Sequence, residues 1–182
     1  MTAKPALLGA RLGLLAGLAC IFYLLALHFI AANLLLTPWL IFVFVIIIIF
    51  KIAAAYLLWR EKGGQVPFKD ALQSVFMVSV ISLFMVILFF YLFFNFIDHT
   101  LMEQIRKNIA DRVMKSFQDG HITKEQLDTG LARIQQINFG IAAASVTYSV
   151  LLFIGFFYAL VFAAITRLIG KEISSRAVVH NN

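Results

Sequence analysis

The sequence predicts an all-α membrane protein: four transmembrane helices, with an extramembrane amphipathic helical hairpin between the third and the fourth. Three observations predict it. The chain of 182 residues is 62% hydrophobic and 13% charged, with a mean hydropathy of +0.93, whereas soluble domains carry about 25% charge. Its apolar residues gather into four runs, Leu7–Leu36, Trp39–Trp59, Ser74–Ile97 and Phe139–Leu168. Each is long enough to cross a hydrocarbon layer about 30 Å thick, which takes roughly 20 helical residues. The runs also lack the alternation of a barrel strand, so backbone groups in lipid are satisfied within helices. Four spans use up most of the chain, and residues 1–182 read as a single membrane domain.

The first run opens with "GARLGLLAG", which sets Gly9, Gly13 and Gly17 four residues apart. In a membrane helix this makes a flat strip where a second helix can approach closely, within the chain or between copies. Cys20 is the only cysteine, which excludes a disulfide framework and a thiolate metal cluster. The "GLAC" around it is similar to a lipoprotein cleavage site. The apolar run continues through "IFYLLALHFI", however, so the segment reads as a retained span. The following connection, "AANLLLTPW", carries no charge; Pro38 breaks the helix there and Trp39 suits an interfacial position.

The second run holds the sharpest anomaly. Lys51 lies in "IIIIFKIAAAYLLW", eight residues before Trp59. At ~1.5 Å rise per residue it sits about 12 Å inside the interface. An ionisable residue at that depth is a functional candidate. None of the four runs contains an interior acid, since Asp70 and Asp98 only flank the third. That absence argues against a proton- or sodium-coupled transporter of the usual kind. The preferred expectation for Lys51 is snorkelling to the headgroups, or hydrogen bonding to helix carbonyls and Tyr56; a functional lysine is the alternative.

The connection to the third run, "LLWREKGGQVPFKDALQSV", reads as a hinge on the membrane surface. Gly63 and Gly64 permit a tight reversal with positive φ, and Pro67 fits the first turn of a new helix. Basic residues cluster at run ends: Lys4 and Arg11, then Arg60, Lys62 and Lys69, then Arg167, Lys171 and Arg176. Such flanks face the cytoplasm and the anionic lipid surface, which places both termini and the hinge inside. The net charge of +6 is explained this way. No nucleic-acid motif with interleaved aromatics accompanies it.

The interval from Asp98 to Gln136 holds six basic and six acidic residues and is predicted to lie outside. In "HTLMEQIRKNIADRVMKSFQ" the residues Met102, Ile105, Ile109, Val113 and Phe117 recur at helical spacing along one face. Asp119 and Gly120 end that helix. Thr123 and Gln126 form a capping box for a second helix with Leu127, Leu131 and Ile134 on one face. The hairpin is expected to lay its apolar face on the membrane or on its own twin. "FQDGHITKEQL" is similar to half of a calcium loop, but Lys115 and Gln126 would fall where acids are needed, which excludes that site.

No catalytic constellation is found. His28, His99 and His121 stand at unrelated spacings and make a poor metal site. Ser145, Thr147, Tyr148 and Ser149 make the start of the fourth run mildly polar, which hydrogen bonds between helices explain. No phosphate loop, nucleophile elbow or paired carboxylates appear, and no cofactor or metal is expected.

At "WREKGGQVPFKDALQSV", followed some twenty residues later by "NFIDHTLMEQ", the chain resembles the domain of unknown function 4199 family, polytopic membrane proteins found mainly in Bacteroidota. The shared layout is a charged turn with glycines before an aromatic and a small helix start. A span ending in an aspartate and an amphipathic extramembrane segment follow it. In the family pattern a proline often follows the aspartate corresponding to Asp98; here His99 stands, which weakens the expectation of a sharp stop. The resemblance implies a bacterial inner-membrane location and brings no activity or catalytic residues.

The function expected first is a non-enzymatic accessory or assembly subunit, acting through helix packing and its amphipathic hairpin. Its partners are the lipid bilayer and a membrane protein, either a different one or a second copy. The alternative is an oligomeric pore or carrier for an ion or small solute, with Lys51 on the path. A weaker alternative is a partner of a glycosyltransferase of envelope or lipid-linked-sugar metabolism.

Overall fold

The computed structural model describes residues 4–30, 41–135 and 139–179. These residues are helical almost throughout: α1 (Pro5–Ile30), α2 (Ile41–Glu61), α3 (Phe68–Leu92), α4 (His99–Gln118), α5 (Lys124–Gln135) and α6 (Ile141–Val179). Four stretches are long and apolar enough to cross a membrane, namely Pro5–Ile30, Ile41–Glu61, Phe68–Ile97 and Ile141–Leu168. The third begins at Phe68 rather than at Ser74. A helix starts at its cap, not where the apolar run starts, so the polar turn around Asp70 belongs to it. The connection with Pro38 and Trp39, and the end of the first run beyond residue 30, lie outside the described residues.

Two compact units make up the chain, Met1–Ile87 with Thr147–Asn182, and Leu88–Val146. In the first unit, small residues set the packing. Ala16, Ala54 and Val78 bring α1, α2 and α3 together, while Ala55, Val75 and Ala159 join α2, α3 and α6. Large side chains such as Phe22, Phe44, Phe84 and Phe153 point outward. That arrangement suits a lipid exterior, where close approach of helices replaces the hydrophobic effect as the source of attraction.

The glycine strip is spent on α3. A Cβ on Gly9 would collide with the Ser74 carbonyl oxygen, and one on Gly13 would stand 2.9 Å from Ile81 Cβ and 3.1 Å from the Val78 oxygen. A Cβ on Gly17 would meet the Met85 side chain, with Sδ at 2.6 Å. Of the two uses expected for the strip, packing within the chain is the one seen.

Leu58, Val66, Ala71 and Ala163 form another cluster, with Leu8, Trp59 and Phe68 against it. The start of α1, the end of α2, the start of α3 and the later part of α6 therefore meet at one end of the bundle. The hinge closes α2 there. Gly63 and Gly64 adopt φ of 63° and 91°; their N–H groups donate to the carbonyls of Arg60 and Trp59, at 3.3 and 3.0 Å. This is a Schellman close, which satisfies the last carbonyls of the helix. Pro67 sits immediately before α3 and its carbonyl accepts from Asp70 and Ala71. Lys62 Nζ lies 2.8 Å from Asp70 Oδ2, which ties the two sides of the hinge together.

In the second unit, α3 continues into a π-helical turn, Phe93–Ile97, and stops at Asp98. The stop is sharp without a proline. Asp98 leaves the helix with φ of −135°, and its carboxylate accepts from the Thr100 N–H and hydroxyl at 3.0 and 2.6 Å, capping α4. The α4 chain reverses at Gly120 (φ 75°) through a second Schellman close: Gly120 donates to Phe117 and His121 to Ser116. Thr123 and Gln126 then exchange hydrogen bonds of 2.9 and 3.3 Å, the reciprocal capping box read from the sequence. The faces of α4 and α5 pack on each other, with Val113 3.4 Å from where a Gly130 Cβ would be; Leu127 and Ile134 are buried.

Two predictions follow from this packing. Gly9→Ala lowers the thermal unfolding midpoint in mild detergent, because the colliding atom is backbone and overpacking of this kind costs about 1–3 kcal/mol. Gly17→Ala costs less, since the Met85 sulfur can turn away and only the Met85 Cβ, at 2.9 Å, requires a small shift of the helix. In α5, Thr123→Ala removes about 1 kcal/mol of capping and speeds amide hydrogen exchange over the first turn.

Candidate functional site

On α2 the buried residues are Val43, Ile47, Lys51, Ala54, Ala55 and Leu58. They recur every three or four positions, so Lys51 belongs to the stripe that faces the other helices. It stands midway along α2 and is 4% exposed. The Nζ lies 5.8 Å from the centre of the Tyr158 ring on α6. Tyr56, the hydrogen-bond partner considered for it, is 57% exposed and stacks on Trp59 instead. The side chain is thus held inside the bundle, not stretched along the lipid surface.

Lys51 lines a cavity of about 500 Å³ between α2, α3 and α6. Ser79 of α3 lies fully buried in its wall, and its hydroxyl has no hydrogen-bond partner. Gly155 of α6 leaves room beside that hydroxyl: a Cβ there would come within 3.4 Å of Ser79 Cβ and 3.5 Å of its Oγ. The rest of the wall is apolar, with Phe44, Ile48, Leu83 and Ile154 among it. Ser74 of α3 also buries a hydroxyl without a partner, but it does not line this cavity; several further hydroxyls of the span region are occupied. Ser82 donates to the Val78 carbonyl at 2.7 Å, Ser145 to Ile141 at 2.8 Å, and Tyr148 crosses to Val80 of α3 at 3.2 Å. Tyr148 supplies the interhelical hydrogen bond expected of the polar start of the fourth run; Ser145 bonds back to its own helix.

Magnitudes show what this arrangement lacks. A charged lysine near the centre of a span costs roughly 2.5–3.5 kcal/mol even on the lenient insertion scale. A cation–π contact contributes about 0.5–2 kcal/mol and weakens towards its limit of about 6 Å, where this one lies. The Tyr158 ring therefore offsets only part of the cost. Among the described residues no carboxylate approaches Lys51, and Asp70 is committed to Lys62 at the hinge. An ammonium offers three donors, and Ser79 adds a hydroxyl.

The other residues singled out from the sequence fall elsewhere. Gly9, Gly13 and Gly17 hold α1 on α3; Gly63, Gly64 and Pro67 shape the hinge at the basic end. Asp98, Asp119, Gly120, Thr123 and Gln126 belong to the second unit, where they cap and reverse helices. Ser79, Gly155 and Tyr158 were not legible as sharing a cavity with Lys51, since single small or aromatic residues in a span carry no pattern. The phase of Lys51 with Ala54 and Ala55 was the available signal, because small residues mark the helix-facing stripe. Asn95 is another unforeseen residue. Its amide donates to the carbonyls of Tyr91 and Phe139 at 2.8 and 2.9 Å, joining the π-helical turn to the chain that enters α6.

No curated protein and no solved structure matches the chain. A family model described as Protein of unknown function (DUF4199) matches residues 11–168, which include most of the first apolar helix, the other three, the hinge and the α4–α5 unit. With so much of its length matched, the chain belongs to the DUF4199 family.

Proposed function

We propose that this multi-pass membrane protein is a non-enzymatic carrier for an anion, which it holds against Lys51 inside the bundle. The observation that carries the reading is the burial of Lys51 in a cavity of about 500 Å³ with an unpartnered Ser79 hydroxyl and, among the described residues, no facing carboxylate. A cavity of that size falls in the range of small-molecule sites. It offers binding groups without a paired nucleophile and base, which favours transfer over chemistry.

The convergence of basic helix ends supports an orientation. Lys4, Arg11, Arg60, Lys69 and Arg167 belong to the helix ends gathered around Leu58 and Ala163. By the bias of cytoplasmic flanks towards Lys and Arg, that end faces the cytoplasm of a bacterial inner membrane and both termini lie there.

A second reading, the accessory or assembly subunit, draws on the α4–α5 unit. It is a separate compact body whose Met114 and Phe117 remain exposed among charged residues, which suits docking to another membrane protein. It loses one of its motives, however, because the glycine strip is occupied by α3 of the same chain.

Proteoliposomes separate the two readings. With a panel of monovalent anions, inorganic and organic, the wild-type chain gives a protein-dependent flux and Lys51→Met abolishes it. An unchanged flux in Lys51→Met removes Lys51 from the path. Absence of any flux, with a second protein co-purifying in fixed ratio from native membranes, favours the accessory reading.

A further inference from the structure

The Lys51 cavity also states where its ligand comes from. Its outer wall consists of Ile41, Phe44 and Val45 on α2 and Ile154 and Tyr158 on α6, all of them exposed on the surface of the bundle. These residues lie in the apolar spans, so the mouth between α2 and α6 opens to hydrocarbon rather than to water. A hydrated inorganic ion has no route through such a mouth. An apolar molecule dissolved in the bilayer has one.

We infer that the cavity takes a lipid-soluble weak acid, a carboxyl group on an apolar body such as an acyl chain, entering sideways from the bilayer to pair with Lys51. The inference rests on the reading of Lys51 as an anion-binding group and adds the class and the route. Each part of the ligand answers a part of the wall. The carboxylate meets the Lys51 ammonium and accepts from the Ser79 hydroxyl, which has no other partner. The apolar body lies against Phe44, Ile48 and Ile154 and out through the mouth. A carboxylic acid crosses hydrocarbon in its neutral form. Where it meets the free amine, its O–H bond breaks and an N–H bond forms, leaving carboxylate and ammonium side by side. An acid already ionised reaches the same pair with the ammonium. Gly155 matters because its missing side chain keeps the space beside Ser79 open.

The test is equilibrium binding of radiolabelled laurate to the full chain in lipid nanodiscs, with empty nanodiscs giving the partition background. The wild type is expected to show a saturable component of about one laurate per chain. Lys51→Met, which keeps the volume and removes the charge, weakens it by about 30-fold or more, the usual result of deleting one partner of a buried charge pair. Gly155→Leu, which fills the cavity and leaves Lys51 in place, weakens it as well. Methyl laurate, with the same chain and no acid, does not compete, and neither does acetate, with the acid and no chain.

Equal laurate binding by wild type and Lys51→Met overturns the inference. Competition by methyl laurate overturns the need for the acid, and competition by acetate at comparable concentration overturns entry from lipid. Should a variant unfold, shown by loss of its thermal transition, Ser79→Ala replaces it and must still weaken binding. The carrier reading fails separately: laurate that binds through Lys51 without any flux in liposomes leaves the site and removes the transport. Lys51-dependent flux of chloride with no laurate binding does the reverse.

Discussion

Contact between helices in an apolar solvent must come from close approach, because removing a surface from lipid gains far less than removing it from water. Everything in the first unit follows from that constraint. Gly9, Gly13 and Gly17 let α1 lie on the backbone of α3, and Ala16, Ala54, Ala55 and Ala159 fill the remaining contacts. The phenylalanines, leucines and isoleucines that a soluble protein would bury are turned outward. A further small residue, Gly155, borders the cavity. Where Gly155 faces Ser79 the bundle leaves a space, and Lys51 reaches into it from α2.

The hinge and the helix ends show a second use of backbone chemistry. Both reversals, at Gly63–Gly64 and at Gly120, close a helix by the same pair of hydrogen bonds to its last turn, and both need a positive φ that glycine adopts without strain. At the hinge the close is reinforced by Lys62 and Asp70, which brings the basic ends of α2 and α3 to one level. Fixing that level fixes the depth of Lys51, since α2 is a continuous helix between them. A feature at one end of the bundle thus helps set the position of the lysine inside it.

The fold was legible because its signals are local. Four apolar runs, two glycine turns and the Thr123–Gln126 box depend on neighbours in sequence; among the described residues four apolar helices overlap the runs, and the turns and the box stand at the residues indicated. The third span begins at Phe68, beside the Pro67 that marked the helix start, and not at Ser74 where the apolar run begins, because apolarity marks the lipid-facing part of a helix and not its cap. The site was half legible. Lys51 stood out by its depth, but snorkelling was preferred, although its register with Ala54 and Ala55 already placed it on the inward face. Its surroundings could not be read, for Ser79, Gly155 and Tyr158 come to share a cavity with it only when α3 and α6 are brought against α2. Packing between distant segments is what a linear pattern omits.

The central claim is that Lys51 carries its charge inside the bundle, away from the headgroups. Solid-state NMR of the chain in phospholipid bilayers, with nitrogen-15 in the lysine side chains and the Lys51 signal assigned by its loss in Lys51→Met, tests it directly. The account predicts magnetisation transfer between Lys51 Nζ and the ring carbons of Tyr158, and none between Lys51 Nζ and lipid phosphorus. Transfer from Lys51 Nζ to lipid phosphorus would contradict it, because the side chain would then reach the membrane surface and the cavity would hold no charge.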